Sequence, residues 1–337
     1  MKRLVRGMAL TDGLRIRIGI SSCLLGEEVR WDGGHKRNRF IAETLGKCFE
    51  WVPVCPELEV GMGIPREPVR LTGRVEAPKM VGAKSGEDWT SKMTEYSRNR
   101  IRRLEEMDLC GYLLKSDSPS CGMERVKIHA GKGPPLRQGT GLFARQLMER
   151  FPLLPVEEEG RLQDPGRWES FIVRVFAYRR WKELETGGCR RRDLVTFHNA
   201  HKFLLLAHNP RLYQGLGRMV AQAPAHSRAD LCRLYGETFM KALGKPASVK
   251  GHFNVLQHVG GFFANHLDRT KMTEIGELLE DYRRGLVPLI APLTLLRRHA
   301  RQQRIPCISE QIYLYPHPQE WLLRTGIWRT GLRERKA

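Results

Sequence analysis

Three cysteines near the ends of predicted β-strands constrain the fold of this 337-residue chain more than any other feature. Short apolar runs predict strands at residues 15–20, 51–54 and 111–115. A cysteine follows each of these strands within a few residues: Cys23, Cys55 and Cys121. If the strands are parallel, all three thiols lie at the carboxyl edge of one sheet, where α/β domains build their sites.

Helical patterns between these strands predict an α/β domain with a small, mostly parallel sheet in the first half of the chain. The helices are expected near residues 38–48 and 87–109. Cys48 and Cys110 lie at the ends of these helices, where a buried free thiol behaves as a small hydrophobic group. We therefore expect these two cysteines to be structural.

Three converging thiols suit two kinds of metal site. One is an iron–sulfur cluster with an open iron, and the other is a zinc ion with three cysteine ligands and a water. The chain contains no C-x-x-C pair, so the usual ferredoxin and zinc-ribbon spacings are absent. Glu57 and Ser118, each within three residues of one of these cysteines, are candidates for proton transfer and water activation.

Composition and charge both change near the middle of the chain. Prolines, a run of glutamates and the turn signal Asp164-Pro165-Gly166 predict a domain boundary within about 150–168. We place the α/β domain at 1–155 and a mainly α-helical domain at 165–325. The net charge of +20 is unevenly divided, with +5 on residues 1–160 and +15 on residues 161–337.

This excess of positive charge indicates a polyanionic partner, either a nucleic acid or an anionic membrane surface. No apolar run approaches the roughly 20 residues that span a bilayer, and no long segment has a basic face opposite an apolar face. The N-terminal residues do not show the pattern of a signal peptide. We therefore expect a cytoplasmic protein that does not bind membranes.

Arginines interleaved with aromatic residues in the second half suit phosphate neutralisation and stacking on unpaired bases. Such clusters occur at 179–180, 190–192 and 297–298. The residues predicted to contact RNA in this half are Arg191, Arg192, His198, His201 and Lys202. The i, i+3 spacing of His198 and His201 also allows a metal pair, although we favour packed or RNA-facing side chains.

Three motifs around the cysteines resemble, in order and spacing, those of the thiouracil desulfidase family: SSCLLGEEVRWDGG, VCPELEVGMGIPREPVRL and LKSDSPSCG. The resemblance covers residues 15–155, and Trp31 stands where the related motif usually has Tyr. It implies a 4Fe–4S cluster with one open iron that takes the thiocarbonyl sulfur of the substrate. The implied ligands of this cluster are Cys23, Cys55 and Cys121.

The same resemblance implies that water replaces the sulfur without net redox change, assisted by Glu57 as the acidic residue and Ser118 as the hydroxyl residue. We expect further substrate contacts from Ser22, Arg66 and Arg70. Because a base in folded RNA must be exposed or flipped out for such chemistry, residues 31–37 and 65–75 are candidates for the pocket lining.

Segments of the second half, such as LVTFHNAHKFLLLAHNPRLYQGLGRMVA and KGHFNVLQHVGGFF, resemble the helical domain often fused to desulfidase domains. The two-domain arrangement is similar to that of bacterial tRNA 4-thiouridine desulfidases. It implies tRNA as the partner and 4-thiouridine as the substrate base. A small molecule or a protein that accepts the sulfur is a further candidate partner. Two alternatives stay open: a desulfidase of free thiouracil-type bases, and a non-catalytic RNA-binding protein with a structural metal.

Overall fold

The computed structural model describes residues 16–131, 133–222 and 227–325. The chain divides into two compact units, one ending at Pro165 and the other continuing from Gly166. The first unit contains sheets and helices, and the described residues of the second form helices. The predicted fold class, an α/β region followed by a mainly α-helical region, is therefore confirmed.

The described residues of the first unit form eight strands in two four-stranded sheets. The strands are β1 (Ile16–Ser21), β2 (Phe49–Val54), β3 (Val69–Gly73), β4 (Pro78–Gly82), β5 (Gly111–Leu114), β6 (Val126–His129), β7 (Leu136–Gly139) and β8 (Val156–Glu158). The first sheet has the order β2-β1-β5-β8, and all of its neighbours pair in parallel. The three strands predicted from the sequence are β1, β2 and β5.

The interior position of β1 agrees with the burial of its residues, because Ile16, Ile18 and Ile20 are buried on one face and Gly19 and Ser21 are buried on the other. Gly19 in this strand faces the ring of Tyr112 in β5, and a Cβ atom at position 19 would overlap that ring. Tyr112 is only 1% exposed, so its ring has no free space to move into. Glycine therefore permits the close packing of β1 and β5, the strands that precede two of the three cysteine loops.

The second sheet has the order β4-β3-β6-β7, with two antiparallel pairs around a parallel β3–β6 pair. Its core is formed by Leu71, Met80, Met93, Val126, Ile128 and Leu142. The sequence did not predict this sheet. Its strands are short, and β7 has only one buried residue, so the alternation that signals a half-buried strand is weak.

Three α-helices complete the first unit: α1 (Pro56–Glu59), α2 (Thr90–Glu105) and α3 (Leu142–Arg150). The helix α2 corresponds to the one predicted at 87–109, and it buries Met93, Ser97, Ile101 and Leu104 on one face. The helix expected at 38–48 is wrong as a regular α-helix. It is instead a π-helical turn at Phe40–Thr44 followed by a 3-10 turn at Leu45–Lys47, and the low helix propensity of Gly46 is one physical reason.

The segment in which the domain boundary is predicted also contains a buried strand, β8, which the sequence analysis did not predict. Every residue of β8 is buried, including Glu157 and Glu158. The Oε1 of Glu158 accepts the backbone N–H of Met123 at 2.8 Å, and Glu157 pairs with Arg161 at 2.8 Å. Burial raises the pKa of the Glu158 carboxyl. Buried carboxylates are compatible with a strand when each has a partner.

The helices of the second unit are α4 (Pro165–Thr186), α5 (Arg191–His208), α6 (Pro210–Ala221), α7 (Arg228–Ala242), α8 (Val249–Gly261), α9 (Arg269–Arg283), α10 (Ile290–Gln303), α11 (Pro306–Ser309) and α12 (Pro318–Thr325). Four of them begin with a side-chain cap, in which an oxygen accepts a backbone N–H of the first turn. The capping residues are Asn209, Ser227, Ser248 and Asp268.

Aromatic side chains fill the centre of the helical unit. Trp181 of α4 stacks on Tyr235 of α7 with ring centroids 5.6 Å apart, and Phe197 of α5 meets Phe239 at 4.9 Å. Aromatic pairs at these distances add stability beyond the area that they bury. None of the helices formed by the described residues is long and apolar enough to span a bilayer.

Candidate active site at the edge of the parallel sheet

A cavity of about 340 Å³ lies at the carboxyl ends of β1, β2 and β5. The thiol-bearing residues Cys23, Cys55 and Cys121 all line it, together with Glu57 and Ser118. The prediction that the three cysteines meet at one edge of the sheet is therefore confirmed. Cys48 and Cys110 do not line the cavity and are buried elsewhere, as expected for structural thiols.

Each cysteine is positioned by the turn that follows its strand. Cys23 lies in the 3-10 turn Ser22–Leu24 after β1, and its carbonyl oxygen accepts the N–H of Lys36 at 2.9 Å. Cys55 is the N-cap residue of α1, and its thiol donates to the carbonyl oxygen of Val29 at 3.7 Å. These contacts fix the loops on either side of the cavity.

The loop after β5 presents Cys121 through a serine-based turn. The Oγ of Ser118 accepts the backbone N–H of Cys121 at 3.1 Å and that of Ser120 at 3.3 Å. Local hydrogen bonds of this kind hold a loop in place without regular secondary structure. Cys121 is consequently buried at the inner end of the cavity.

Burial raises the pKa of all three thiols, so each is protonated at neutral pH in the protein alone. The pKa of Cys23 rises to about 11, because of burial first and the neighbouring Cys55 second. The hydroxyls of Ser21 and Ser120 lower the pKa of Cys121 by hydrogen bonding, but burial outweighs them. Three thiolates in this cavity therefore require a bound cationic group, which deprotonates cysteine ligands.

The donor set of the cavity fits an iron–sulfur cluster, because cysteine thiolates are the usual ligands of such clusters. Among the residues that the structure describes, no group of three His, Cys, Asp or Glu side chains is arranged to hold a metal ion. The three thiols line one shared cavity. A cluster in which every cysteine binds a different iron needs such a distribution.

Glu57 is the central polar group of the cavity wall. Its Oε1 accepts the hydroxyl of Ser120 at 2.7 Å and lies 3.5 Å from the hydroxyl of Ser118. Its Oε2 pairs with the guanidinium of Arg66 at 2.7 Å. The Oγ atoms of the two serines are 3.0 Å apart, so carboxylate and hydroxyls form one connected network.

Arg66 lines the cavity as predicted, but its donors are largely used within the protein. Besides Glu57, the guanidinium donates to the carbonyl oxygens of Val29 at 3.0 Å and Gly63 at 2.9 Å. Its side chain is 5% exposed. The geometry therefore makes Arg66 a positioning group for Glu57.

The remaining predicted substrate contacts of the first unit differ in their location. Ser22 and Trp31 line the cavity, and Trp31 is 42% exposed at its mouth. Arg70 is not part of this lining, and it lies exposed on β3 in the other sheet. The sequence interval 65–75 thus reaches the site only through its first residues, because the strand then leads the chain away.

Two groups near the site were not predicted. The hydroxyl of Ser120 donates to Oε1 of Glu57 at 2.7 Å, and the only signal in the sequence was its position next to Cys121. Lys115 lines the cavity directly after β5, and its ammonium pairs with Glu159 and bonds Ser116. No sequence pattern connects Lys115 with Glu159, which is 44 positions further along the chain.

The RNA contacts predicted in the helical unit fall into two groups. Arg191 and Arg192 are exposed at the beginning of α5, and Lys202 is half-buried further along it. His198 and His201 are buried instead. These exposed arginines stay candidates for contact with a polyanion.

The interior placement of the two histidines corrects their interpretation as RNA-facing residues. His201 is 0% exposed, with Nε2 accepting from Arg180 at 3.1 Å and Nδ1 bonded to the carbonyl oxygen of Phe197 at 2.8 Å. His198 bonds the hydroxyl of Tyr235 at 3.0 Å. Burial lowers the pKa of both histidines, so both are neutral at pH 7. They are packed, the other interpretation that the sequence allowed.

The fold and the site together define an α/β protein with a thiol-lined cavity at the edge of a parallel sheet, joined to a helical unit. The family model of 2-thiouracil desulfurase matches residues 18–159, and that of DUF1722, a protein family of unknown function, matches residues 202–318. The chain belongs to the 2-thiouracil desulfurase family, a family of desulfidase enzymes, and carries a DUF1722 domain in its second half.

Similar proteins include the uncharacterized protein YbgA of Escherichia coli (strain K12), which is 32% identical over 46% of this chain and 93% of its own length. The uncharacterized protein YbbK of Bacillus subtilis (strain 168) is 33% identical over 31% of this chain and 71% of its own. The solved structure of the [4Fe-4S]-dependent thiouracil desulfidase TudS is 28% identical, covering 44% of this chain and 94% of TudS, with a TM-score of 0.38.

Proposed function

We propose that this protein is an iron–sulfur-dependent desulfidase that removes the sulfur of 4-thiouridine in tRNA and leaves uridine. The observation that supports it most directly is the cavity in which three thiols face the network of Glu57 and its serines. The family match supports the desulfidase chemistry. The choice of a tRNA base as the substrate is supported by the charge of the second half.

In this proposal the three cysteines that line the cavity hold a 4Fe–4S cluster. The ligands are Cys23, Cys55 and Cys121. When bound, the cluster supplies one iron without a protein ligand, which is a Lewis acid for the sulfur of the substrate. Among the described residues of the cavity wall there is no fourth cysteine.

The polar groups of the cavity manage the proton transfers. One water gives its oxygen to the base carbon, and the sulfur leaves as sulfide together with the two protons, so no electrons are gained or lost. Glu57 accepts the proton of the attacking water through Oε1, because Arg66 occupies Oε2. Ser118 and Ser120 relay the proton or orient the water, since both hydroxyls lie within 3.5 Å of Oε1.

The helical unit binds the tRNA in this proposal. Residues 161–337 have a net charge of +15, and Arg191 and Arg192 are exposed. Neutralising phosphates with such side chains releases counterions, so the tRNA reaction should weaken steeply as salt is added. A small base would not show this dependence.

The decisive experiment is mass spectrometry of tRNA nucleosides before and after incubation with the anaerobically prepared holoprotein. We expect 4-thiouridine to decrease and uridine to increase by the same amount, and a Glu57→Gln variant to lose this conversion. Full conversion by the Glu57→Gln variant would contradict the role of Glu57. If no thiolated substrate loses its sulfur, the protein is better described as a non-catalytic RNA-binding protein with a structural metal.

A second candidate function is desulfidation of a free thiouracil-type base, and the family description, which names 2-thiouracil, favours it. The two functions are separated by comparing turnover of thiolated tRNA and of free 4-thiouracil at two salt concentrations. Turnover of the free base alone would establish the second function. Salt-sensitive turnover of tRNA would support the first.

A further inference from the structure

A surface groove of about 470 Å³ lies along the helix α10, outside the site described above. Its lining consists of Thr294, Arg297, Arg298, Arg301, Gln302 and Trp321. Five of these residues belong to α10 and recur at spacings of three and four, so they share one face of the helix. Every one of the five has a side chain that donates hydrogen bonds.

Aromatic rings hold the central arginine of this groove in place. The Cζ of Arg297 lies 4.0 Å from the ring centroid of Trp321 and 5.3 Å from that of Tyr315. The hydroxyl of Tyr315 donates to the carbonyl oxygen of Arg297 at 3.1 Å. Arg301 lies over the same tyrosine at 5.8 Å. A guanidinium packed against rings keeps the N–H groups at its edge available for the oxygens of an anion.

The positive charge of the groove has no acidic counterpart. No carboxylate of the described residues pairs with Arg297, Arg298 or Arg301, whereas Arg283 of α9 pairs with Glu280. Burial and the like charge of Arg301 lower the pKa of Arg297. Like charges four residues apart destabilise a helix slightly, and a bound anion would relieve the repulsion.

We propose that the groove of α10 binds the phosphate backbone of RNA, with arginines that contact successive phosphates. The helical rise from Arg297 to Arg301 is about 6 Å, comparable with the separation of adjacent phosphates on one strand. Arginine side chains match phosphate oxygens with two parallel hydrogen bonds. The choice of RNA among polyanions rests on the proposed function, but the binding of phosphate does not.

A membrane surface fits this groove less well than RNA. The opposite face of α10, with Leu293, Leu296 and Ala300, is already buried in the core of the helical unit. A helix that lies in a membrane interface needs an exposed apolar face next to its basic one. The groove itself presents polar and charged side chains around a single tryptophan.

The test is fluorescence anisotropy of a labelled, unmodified single-stranded RNA bound to the full chain, measured over a range of salt concentrations. Replacing all three groove arginines by glutamine should weaken the affinity for this RNA by about 100-fold at 0.1 M salt. It should also reduce the slope of log K against log salt by about 2. An unchanged affinity and slope in this variant would overturn the proposal.

Two further variants keep the test independent of folding. Arg298→Gln with Arg301→Gln changes only exposed side chains and should reduce the slope by about 1.4. The matched control, Arg283→Gln with Arg284→Gln, removes the same charge from arginines that pair with Glu280 and should alter the slope by clearly less. Equal losses in the two double variants would show a general charge effect and contradict a specific groove.

Two other readouts separate this proposal from the proposed function. If RNA binding depends on the groove but no thiolated tRNA loses sulfur, the proposed function is wrong and the proposal that the groove binds RNA is supported. If vesicles of phosphatidylserine compete for the groove more strongly than RNA at equal charge, the RNA assignment is wrong. Turnover of free 4-thiouracil should be unchanged in all groove variants, since no groove residue lines the cavity of the first unit.

Discussion

The hydroxyl oxygen of Ser120 lies 2.7 Å from Oε1 of Glu57, whereas that of Ser118 lies 3.5 Å away. Ser118 also accepts the backbone N–H of Cys121 at 3.1 Å. The two serines of the same loop therefore contribute differently. Ser120 is the direct hydrogen-bond donor to the carboxylate, and Ser118 additionally holds the backbone that presents a thiol.

This difference predicts separate effects of the two alanine variants. Ser120→Ala should lower the turnover of the thiolated substrate about 100-fold with unchanged iron content, because Oε1 of Glu57 loses the hydroxyl that donates to it at 2.7 Å. Ser118→Ala should reduce iron content as well, since the turn before Cys121 loosens. Steady-state kinetics and iron determination on anaerobic preparations measure both. Wild-type turnover in Ser120→Ala would contradict the assignment.

The ion pair of Arg66 and Glu57 gives a second prediction. Both side chains are largely buried, at 5% and 15% exposure, so Arg66→Met leaves the carboxylate without its cation. We expect the apoprotein to lose about 3–5 kcal/mol of unfolding free energy in urea denaturation. The double variant with Glu57→Gln should lose less than the sum of the single variants. Additive losses would show that the pair is not coupled.

The location of the thiols could be predicted from the sequence because it follows from a rule of topology. Parallel strands end at one edge, so the positions of Cys23, Cys55 and Cys121 after strands sufficed to place them together. The contact between Ser120 and Glu57 could not be predicted in this way. It depends on the side-chain directions of a residue in the short helix α1 and a residue in a loop 63 positions later, for which no periodic pattern exists.

The burial of several polar residues could not be predicted from the sequence, because it depends on partners that satisfy their hydrogen bonds. Glu157 and Glu158 are buried in β8 because Arg161 and backbone N–H groups satisfy them. His201 is buried because Arg180 and a carbonyl oxygen satisfy both ring nitrogens. Local sequence does not reveal such partners, since Arg180 is 21 positions away from His201.

A buried histidine of the helical unit predicts acid sensitivity. Burial lowers the pKa of His252 from 6.5 to about 3, with its Nδ1 bonded to the hydroxyl of Tyr313 at 2.9 Å. The neutral ring favours the folded state above pH 6.5, and this contribution is lost as the pH falls from 6.5 towards 3. We expect the unfolding free energy to fall by about 2 kcal/mol between pH 7 and pH 5 from this residue.

Urea denaturation at pH 7 and pH 5 measures this loss, and His252→Asn provides the comparison. The variant should be less stable at pH 7 but should lose less stability on acidification, because asparagine has no proton to gain. The same pH dependence in both proteins would show that His252 does not determine the acid response.

Substitution of single cysteines tests the cluster ligands against controls within the same chain. A bound 4Fe–4S cluster gives about four irons per chain. Serine at any of the three cavity positions should strongly reduce this iron content and the visible absorbance of the protein. The cavity positions are Cys23, Cys55 and Cys121. Cys48→Ser and Cys110→Ser are the matched controls, because these thiols are also buried but lie outside the cavity.

The controls should retain iron, even where serine lowers stability by placing a hydroxyl in an apolar environment. Equal iron loss in all five variants would attribute the effect to misfolding and leave the ligand assignment unsupported. Stoichiometric zinc in a colourless protein from anaerobic preparation would contradict the cluster. In that case the shared cavity would have to contract around one ion, because tetrahedral zinc brings its sulfur ligands within about 3.8 Å of each other.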